Sequence, residues 1–171
     1  MIAARLPATL ELMGLSLLLS LMLGIAAGTQ AALRRGSWVD RGITALCAVG
    51  LAVPGFWLGV LSLVLFAGTL GWLPAGGRGT VGMPFSLADH LRHLVLPVLV
   101  LVVVETPQWA RHMRGSLLEI WNEDWLRAAR ARGLGERRVL WRHALRPALV
   151  PVVTLLGLQA AVLFTGAAIP G

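Results

Sequence analysis

Four stretches of this chain carry almost no charge and are long enough to cross about 30 Å of hydrocarbon. They run from about Leu10 to Leu33, Ile43 to Leu70, Leu94 to Ala110 and Ala148 to Ile169. Inside a bilayer no water satisfies the backbone, so each stretch must be helical. Only 13% of the 171 residues are charged, against about 25% in a soluble domain, and the deficit lies in these blocks. The sequence therefore predicts an all-α integral membrane protein, a polytopic helical bundle read as one domain over residues 1–171. The opening residues do not read as a cleaved leader, because Pro7 and Glu11 fall where its apolar core should begin.

The connections predict an orientation. Arg34, Arg35 and Arg41 stand against Asp40 between the first two spans, a net of +2. Between the third and fourth spans, nine arginines stand against Glu119, Glu123, Asp124 and Glu136, a net of +5. The segment from Gly71 to His93 has Arg78 and Arg92 against Asp89, a net of +1. The positive-inside rule places the first and third connections, including 111–147, in the cytoplasm. The N-terminus, the 71–93 segment and the C-terminus then lie outside. Ser86 is expected to cap a short outer helix beginning at Leu87, with Asp89 in its first turn. The spacings of Gly24/Gly28, Gly50 and Gly55/Gly59 suit close helix packing.

The most basic segment, RAARARGLGERRVLWRHALRP, holds seven arginines over residues 127–147 and runs straight into the uncharged fourth span. From Leu117 to Arg132, Trp121, Trp125 and Ala128/Ala129 recur every three to four residues, which predicts one helical face. Gly133 reads as a helix stop in the left-handed conformation, and Glu136 opens a second helix with an acid at its positive end. Arg138, Arg142 and Arg146 share one stripe of that helix, and Val139, Leu140 and His143 another. Pro147 either closes it or begins the fourth span as a first-turn residue. The segment is thus a helix, a Gly turn and a helix beside the membrane. Two uses suit it: an amphipathic hairpin anchored to lipid headgroups, or a docking surface for a soluble partner. Contact with nucleic acid is not expected, since the bases would have to be reached next to a bilayer.

Several chemistries are excluded or weakly supported. All fifteen basic residues are Arg, so the Lys of a nucleotide-binding phosphate loop cannot be supplied. No nucleophile elbow, HExxH helix or carboxylate pair is visible, which argues against an enzyme. Cys47 reads as a small buried hydrophobe. His90 and His93 have a spacing that a metal uses, but no third ligand is near and a surface position is expected. Glu105 is an intramembrane carboxylate, a functional-site candidate by default. It reads either as a lining residue of a solute path or as an interfacial group paired with Arg111 or Gln108. Pro107 is expected to kink or break its helix. Pro54, which interrupts the second span, and Gln159, mid-span in the fourth, are the other path candidates.

The stretch from Ser116 to Leu158 resembles the cytoplasmic loop of ABC-transporter permease subunits, closest to the dipeptide/oligopeptide/nickel importer class. The general signature reads E-A-A, three residues, G, nine residues, then I-x-L-P. Ala128, Ala129, Gly133 and Leu145 match it, while Arg127, His143 and Arg146 depart from it. The peptide-transport class tends to read R-x-A-R-A-K-G and R-H-A-L-R there, so the departures favour that class. The resemblance extends through RLPATLEL, LRRGSWVDR, PGFWLGVLS, LGWLPAGGRG and LRHLVLPVL.

By that resemblance the Gly-turn segment is a coupling helix seated in a cleft of a separate ATPase subunit. It implies Trp121, Asp124, Trp125, Arg127, Ala128, Ala129, Arg130, Gly133, Leu134 and Leu145 as the coupling residues, with Trp121 and Trp125 anchoring one face and Arg127 and Arg130 meeting acidic rims. It also implies two ABC ATPase subunits, a second permease subunit and a periplasmic or lipid-anchored solute-binding protein. The chain itself would carry no cofactor and sit, multi-pass, in the bacterial inner membrane among its lipids. Its cargo would be a peptide or similar small solute, nickel among them. Members of the class have one more span at each end, so the chain reads as truncated at both ends. The alternative from another class is a membrane-anchored scaffold with a lipid-binding Arg-rich hairpin.

Overall fold

A computed structural model describes residues 2–80 and 82–168, with the side chains of 7–80 and 82–159. Among the described residues there are seven α-helices and no strand: α1 Ile2–Leu33, α2 Trp38–Ala52, α3 Gly55–Ser62, α4 Leu87–Trp121, α5 Asp124–Ala131, α6 Glu136–Arg138 and α7 Leu145–Ala168. A π turn at Leu63–Thr69 prolongs α3, and another at Val139–Ala144 joins α6 to α7. The chain falls into two compact units, Met1–Gly24 with Ala45–Gln108 and Ile25–Thr44 with Trp109–Gly171.

Among the described residues, three helices are long and apolar enough to cross a membrane: Pro7–Leu33, Leu87–Trp121 and Glu136–Gln159. The expected second span is not one straight helix. α2 and α3 qualify only as a pair bent by 90°. Pro54 is the cause: it has no N–H to continue α2 and disfavours helical geometry at Val53. It then caps α3 from an extended conformation, with φ −62° and ψ 129°.

The helix beginning at Leu87 is not short. It absorbs the expected third span and runs through Pro97 and Pro107 to Trp121, so Pro107 does not break it. The expected 111–147 loop is therefore helical over its first eleven residues. The reason is visible in the burial of Trp109, Met113 and Leu117, which keep one helical face at intervals of four.

In the first unit, the second half of α2 and all of α3 run along α4 through their glycines. A Cβ on Gly50 would stand 2.7 Å from Pro107 Cγ, one on Gly55 3.5 Å from Val104 Cγ2, and one on Gly59 3.9 Å from Val100 Cγ1. Only the Gly50 contact forbids a side chain; the other two are ordinary van der Waals distances. The loop between Gly71 and Ser86 is fixed to the start of α4. Asp89, expected only as a first-turn acid, accepts hydrogen bonds from Thr80 N (2.6 Å) and Thr80 Oγ1 (2.9 Å).

In the second unit, α1 crosses α4 at Gly28. A Cβ there would meet Met113 Cβ at 2.8 Å and Arg114 N at 3.0 Å, so the crossing depends on the missing side chain. The segment after Gly133 is not a detached helix of a hairpin. It is continuous from Glu136 into α7, and Pro147 sits in the first turn of α7 rather than ending the helix. Proline crowds the carbonyl four residues earlier, here His143, which lies in the wide turn that precedes α7. That turn also resets the helical register. The buried residues are Val139, Ala144, Ala148 and Val152, with a first step of five instead of four. The expected stripe of Val139, Leu140 and His143 is therefore replaced by Val139 with Ala144.

Candidate functional site

The basic segment of the second unit is built around α5. Its start follows from Glu123, whose extended backbone (φ −68°, ψ 141°) ends the α4 turn and caps α5, with Asp124 in the first turn. Gly133 ends this stretch with φ +81°, and its N–H bonds to the Arg130 carbonyl at 2.8 Å. A Cβ at Gly133 would meet nothing within 4 Å, so glycine is required by backbone conformation rather than by space. The left-handed stop read from the sequence is present.

α5 presents one face outward and one inward. Leu126 is fully buried and Ala129 is 2% exposed. Asp124, Trp125, Arg127 and Ala128 are exposed, with Arg127 Nη1 and Asp124 Oδ1 paired at 3.3 Å. The two signature alanines thus divide: Ala129 lets α5 seat against its own chain, and Ala128 leaves the outer face flat. Leu134 and Leu145 are half-buried.

The single face expected to carry Trp121 and Trp125 does not exist. Trp121 ends α4 and Trp125 lies in α5, separated by the turn at Asn122–Glu123. Arg130 is turned inward rather than towards a partner's rim. Its Nε donates to Glu136 Oε1 at 3.0 Å, and its guanidinium lies over the Trp121 ring at 4.7 Å. One residue thereby ties the end of α4, the end of α5 and the start of α6.

Sequence reasoning missed three features. Leu126 escaped because Leu117–Arg132 was treated as one helix; α5 taken alone shows Leu126 and Ala129 at i, i+3. The second is a charge clamp. Arg114 Nε and Nη2 hold Asp40 Oδ1 and Oδ2 at 2.7 and 2.9 Å, and Asp40 also accepts from Gly36 N at 2.9 Å. Asp40 is 5% exposed, and its own N–H meets the capping Ser37 Oγ at 3.4 Å. The clamp fixes the first connection to α4. The Ser-x-x-Asp pattern at the start of α2 marks a helix start, but not the partner 74 residues away.

The third feature lies in the first unit. His90 is buried, not on the surface. Its Nε2 meets Glu11 Oε1 at 2.7 Å and its Nδ1 the Arg78 carbonyl at 2.8 Å. Arg78 Nη2 donates to Glu11 Oε2 at 3.0 Å. His93, also buried, directs Nδ1 to the Asp89 carbonyl at 2.8 Å. With these nitrogens committed, no group of three metal-ligating side chains occurs among the described residues.

The path candidates are placed as follows. Glu105 pairs with neither Arg111 nor Gln108; Ser20 Oγ of α1 donates to its Oε2 at 3.1 Å. Glu105 lies thirteen residues beyond Arg92 and six before Arg111 on α4, about 20 Å and 9 Å at the helical rise. Pro54 lies in the same unit, its neighbour Gly55 packing on Val104 beside Glu105. Gln159 is half-buried on α7 in the second unit.

Comparison with known proteins bears on this arrangement. Residues 20–171 match the family model described as binding-protein-dependent transport system inner membrane component. The chain is 43% identical over 159 residues to the oligopeptide transport system permease protein AppB of Bacillus subtilis, covering 93% of this chain and 50% of that one. It is 40% identical over 179 aligned positions to the di/tripeptide transport system permease protein DppB of Pseudomonas aeruginosa, covering 94% and 53%. The chain spans about half the length of the curated relatives it matches.

Proposed function

Since the chain belongs to the family of binding-protein-dependent transport system inner membrane components, we propose that it forms the membrane-spanning permease part of an ATP-binding-cassette importer for peptides. The relatives' names, oligopeptide and di/tripeptide permeases, support peptide cargo over nickel or another small solute. In this reading the chain performs no covalent chemistry and carries no cofactor. ATP is hydrolysed on two separate ATPase subunits, a second permease subunit completes the path, and a solute-binding protein delivers cargo from outside. The chain sits in the inner membrane with residues 111–147 on the cytoplasmic side.

One observation supports coupling most strongly. α5 offers Asp124, Trp125, Arg127 and Ala128 outward while Leu126, Ala129 and Arg130 fasten it to the helices on either side. A short helix held this way transmits the movement of a docked partner as a rigid lever. Because the helix that starts at Glu136 is continuous with α7, displacement of α5 passes directly into a spanning helix.

Gly133→Asp tests this in the assembled transporter. Its side chain would project into open space but strain the φ +81° turn, so the change falls on the turn beside α5 and not on the spanning helices. Membrane insertion should persist while ATPase co-purification and uptake are lost. Intact uptake would sink the coupling assignment. Membrane insertion with lipid binding but no ATPase recruitment by the unaltered chain would favour the scaffold reading instead.

A further inference from the structure

Some arginines of the second unit are paired with acids and others are not. Arg114, Arg127 and Arg130 each hold a carboxylate. Arg137, Arg138 and Arg142 are exposed, and among the described residues none of them has an acidic partner within 4.0 Å. These three converge with Trp141, Gly135 and Glu136 around an open basin of about 990 Å³. The only acid there, Glu136, already gives Oε1 to Arg130. This open surface thus carries uncompensated positive charge beside an indole that is 61% exposed.

Its position on the chain selects the ligand. The helix is continuous from Glu136 into α7, and the uncharged run begins at Ala148. Arg142 stands six residues earlier, about 9 Å along the axis, and Arg138 and Arg137 ten and eleven earlier, about 15 and 17 Å, so their longer reach back to the surface runs along their side chains. A headgroup layer is roughly 5–8 Å thick on each side of the hydrocarbon, and an Arg side chain bridges the remaining few ångströms. Trp is preferred at this same depth. The outward face of α5 lies on the other side of the Gly133 turn, so a protein docked there need not cover the basin.

The geometry points to a binding site for the phosphate-bearing headgroup of an anionic phospholipid, made by Arg137, Arg138, Trp141 and Arg142. The guanidiniums supply paired N–H donors to phosphate oxygens, and the indole lies along the glycerol and upper acyl chain. The site does not depend on the coupling role proposed for α5, and uptake is not its readout.

The test uses the whole chain in nanodiscs of phosphatidylcholine alone or mixed equally with phosphatidylglycerol, with retained lipid measured by native mass spectrometry. The unaltered chain should retain phosphatidylglycerol preferentially. Each of Arg137→Gln, Arg138→Gln and Arg142→Gln should weaken that preference about fivefold, and the three together on the order of a hundredfold. Arg132→Gln removes the same charge nearby and should change little. Trp141→Leu should weaken retention without abolishing the preference. All these positions are exposed, so the variants should fold. Three results would overturn the site: the triple variant keeping its preference, Arg132→Gln acting as strongly as Arg142→Gln, or inorganic phosphate displacing the lipid. Displacement by added ATPase subunits would overturn it too, assigning the basin to a protein interface.

Discussion

The guanidinium of Arg130 lies 4.7 Å from the centre of the Trp121 ring, across the turn that separates α4 from α5. The contact fixes the direction in which α5 leaves α4, and the Arg130–Glu136 bond fixes where α6 begins. Trp121→Ala should cost about 0.5–2 kcal/mol, the range of a cation–π contact from exposed to desolvated. Arg130→Gln should cost slightly more, because a part-exposed ion pair adds up to about 1 kcal/mol. Hydrogen exchange over α5 should accelerate in both variants while exchange in α7 does not. If ATPase stimulation by cargo falls further than stability does, the strut serves coupling. Unchanged α5 exchange in Arg130→Gln would contradict the strut.

The Asp40–Arg114 clamp carries a larger stake. Asp40 is nearly inaccessible and bonded through both oxygens, whereas Arg114 is part-exposed, so Arg114→Leu strands a buried carboxylate. Breaking one side of such a pair costs about 3–5 kcal/mol. Removing both partners should cost much less than the two single changes added together, with a coupling of about 1–3 kcal/mol. A double-mutant cycle of denaturant unfolding in detergent measures it. Additive single costs would show that the two side chains do not support each other.

These two relationships mark where the sequence was legible and where it was not. Gly133 was readable because a positive φ has few residues to serve it. The apolar spans were readable because a bilayer permits no alternative to helix. Leu126 and Trp121 were misplaced because the 3.6-residue period persists through Asn122–Glu123, so periodicity alone cannot see a short turn that happens to keep phase. The Asp40–Arg114 and Glu11–His90 pairs are 74 and 79 residues apart. Charge counting treated their members as solvated, since nothing local says which acid meets which base. The π turn at Val139–Ala144 was invisible for a related reason: one extra residue per turn changes which side chains are buried without changing composition.

Glu105 and Ser20 give a cleaner test of the path. Gln at 105 still accepts from Ser20 Oγ, so Glu105→Gln should leave folding within about 0.5 kcal/mol of the parent. Only the charge is removed. Uptake of peptides with cationic side chains should fall about tenfold, the effect of roughly 1.4 kcal/mol, while uptake of neutral peptides stays within about twofold. Competition between the two cargoes in the assembled transporter measures this. Equal losses for both would remove Glu105 from the path.

His90 makes a prediction about pH. Both of its partners only accept: the Arg78 carbonyl at Nδ1, and at Nε2 the Glu11 carboxylate, which the Arg78 guanidinium also holds. Both ring nitrogens must therefore donate, which only the doubly protonated imidazole can do. Other charged or titratable groups nearby are Asp89, Arg92 and His93 on α4, and none of these replaces a donor to Glu11. The bonds are complete below the imidazole's titration. One is lost as pH rises through it, so the tie from the 71–86 loop to α1 should loosen on the alkaline side. Hydrogen exchange of residues 73–80, corrected for intrinsic rate, should rise across that interval. In His90→Gln, one terminal amide cannot donate to both acceptors at their present positions, and exchange should be fast and independent of this transition. Glu11→Gln should move the transition to lower pH, because the carboxylate that favours the second proton is gone. A loop whose exchange follows the same pH profile in the parent and in His90→Gln would show that His90 does not hold it.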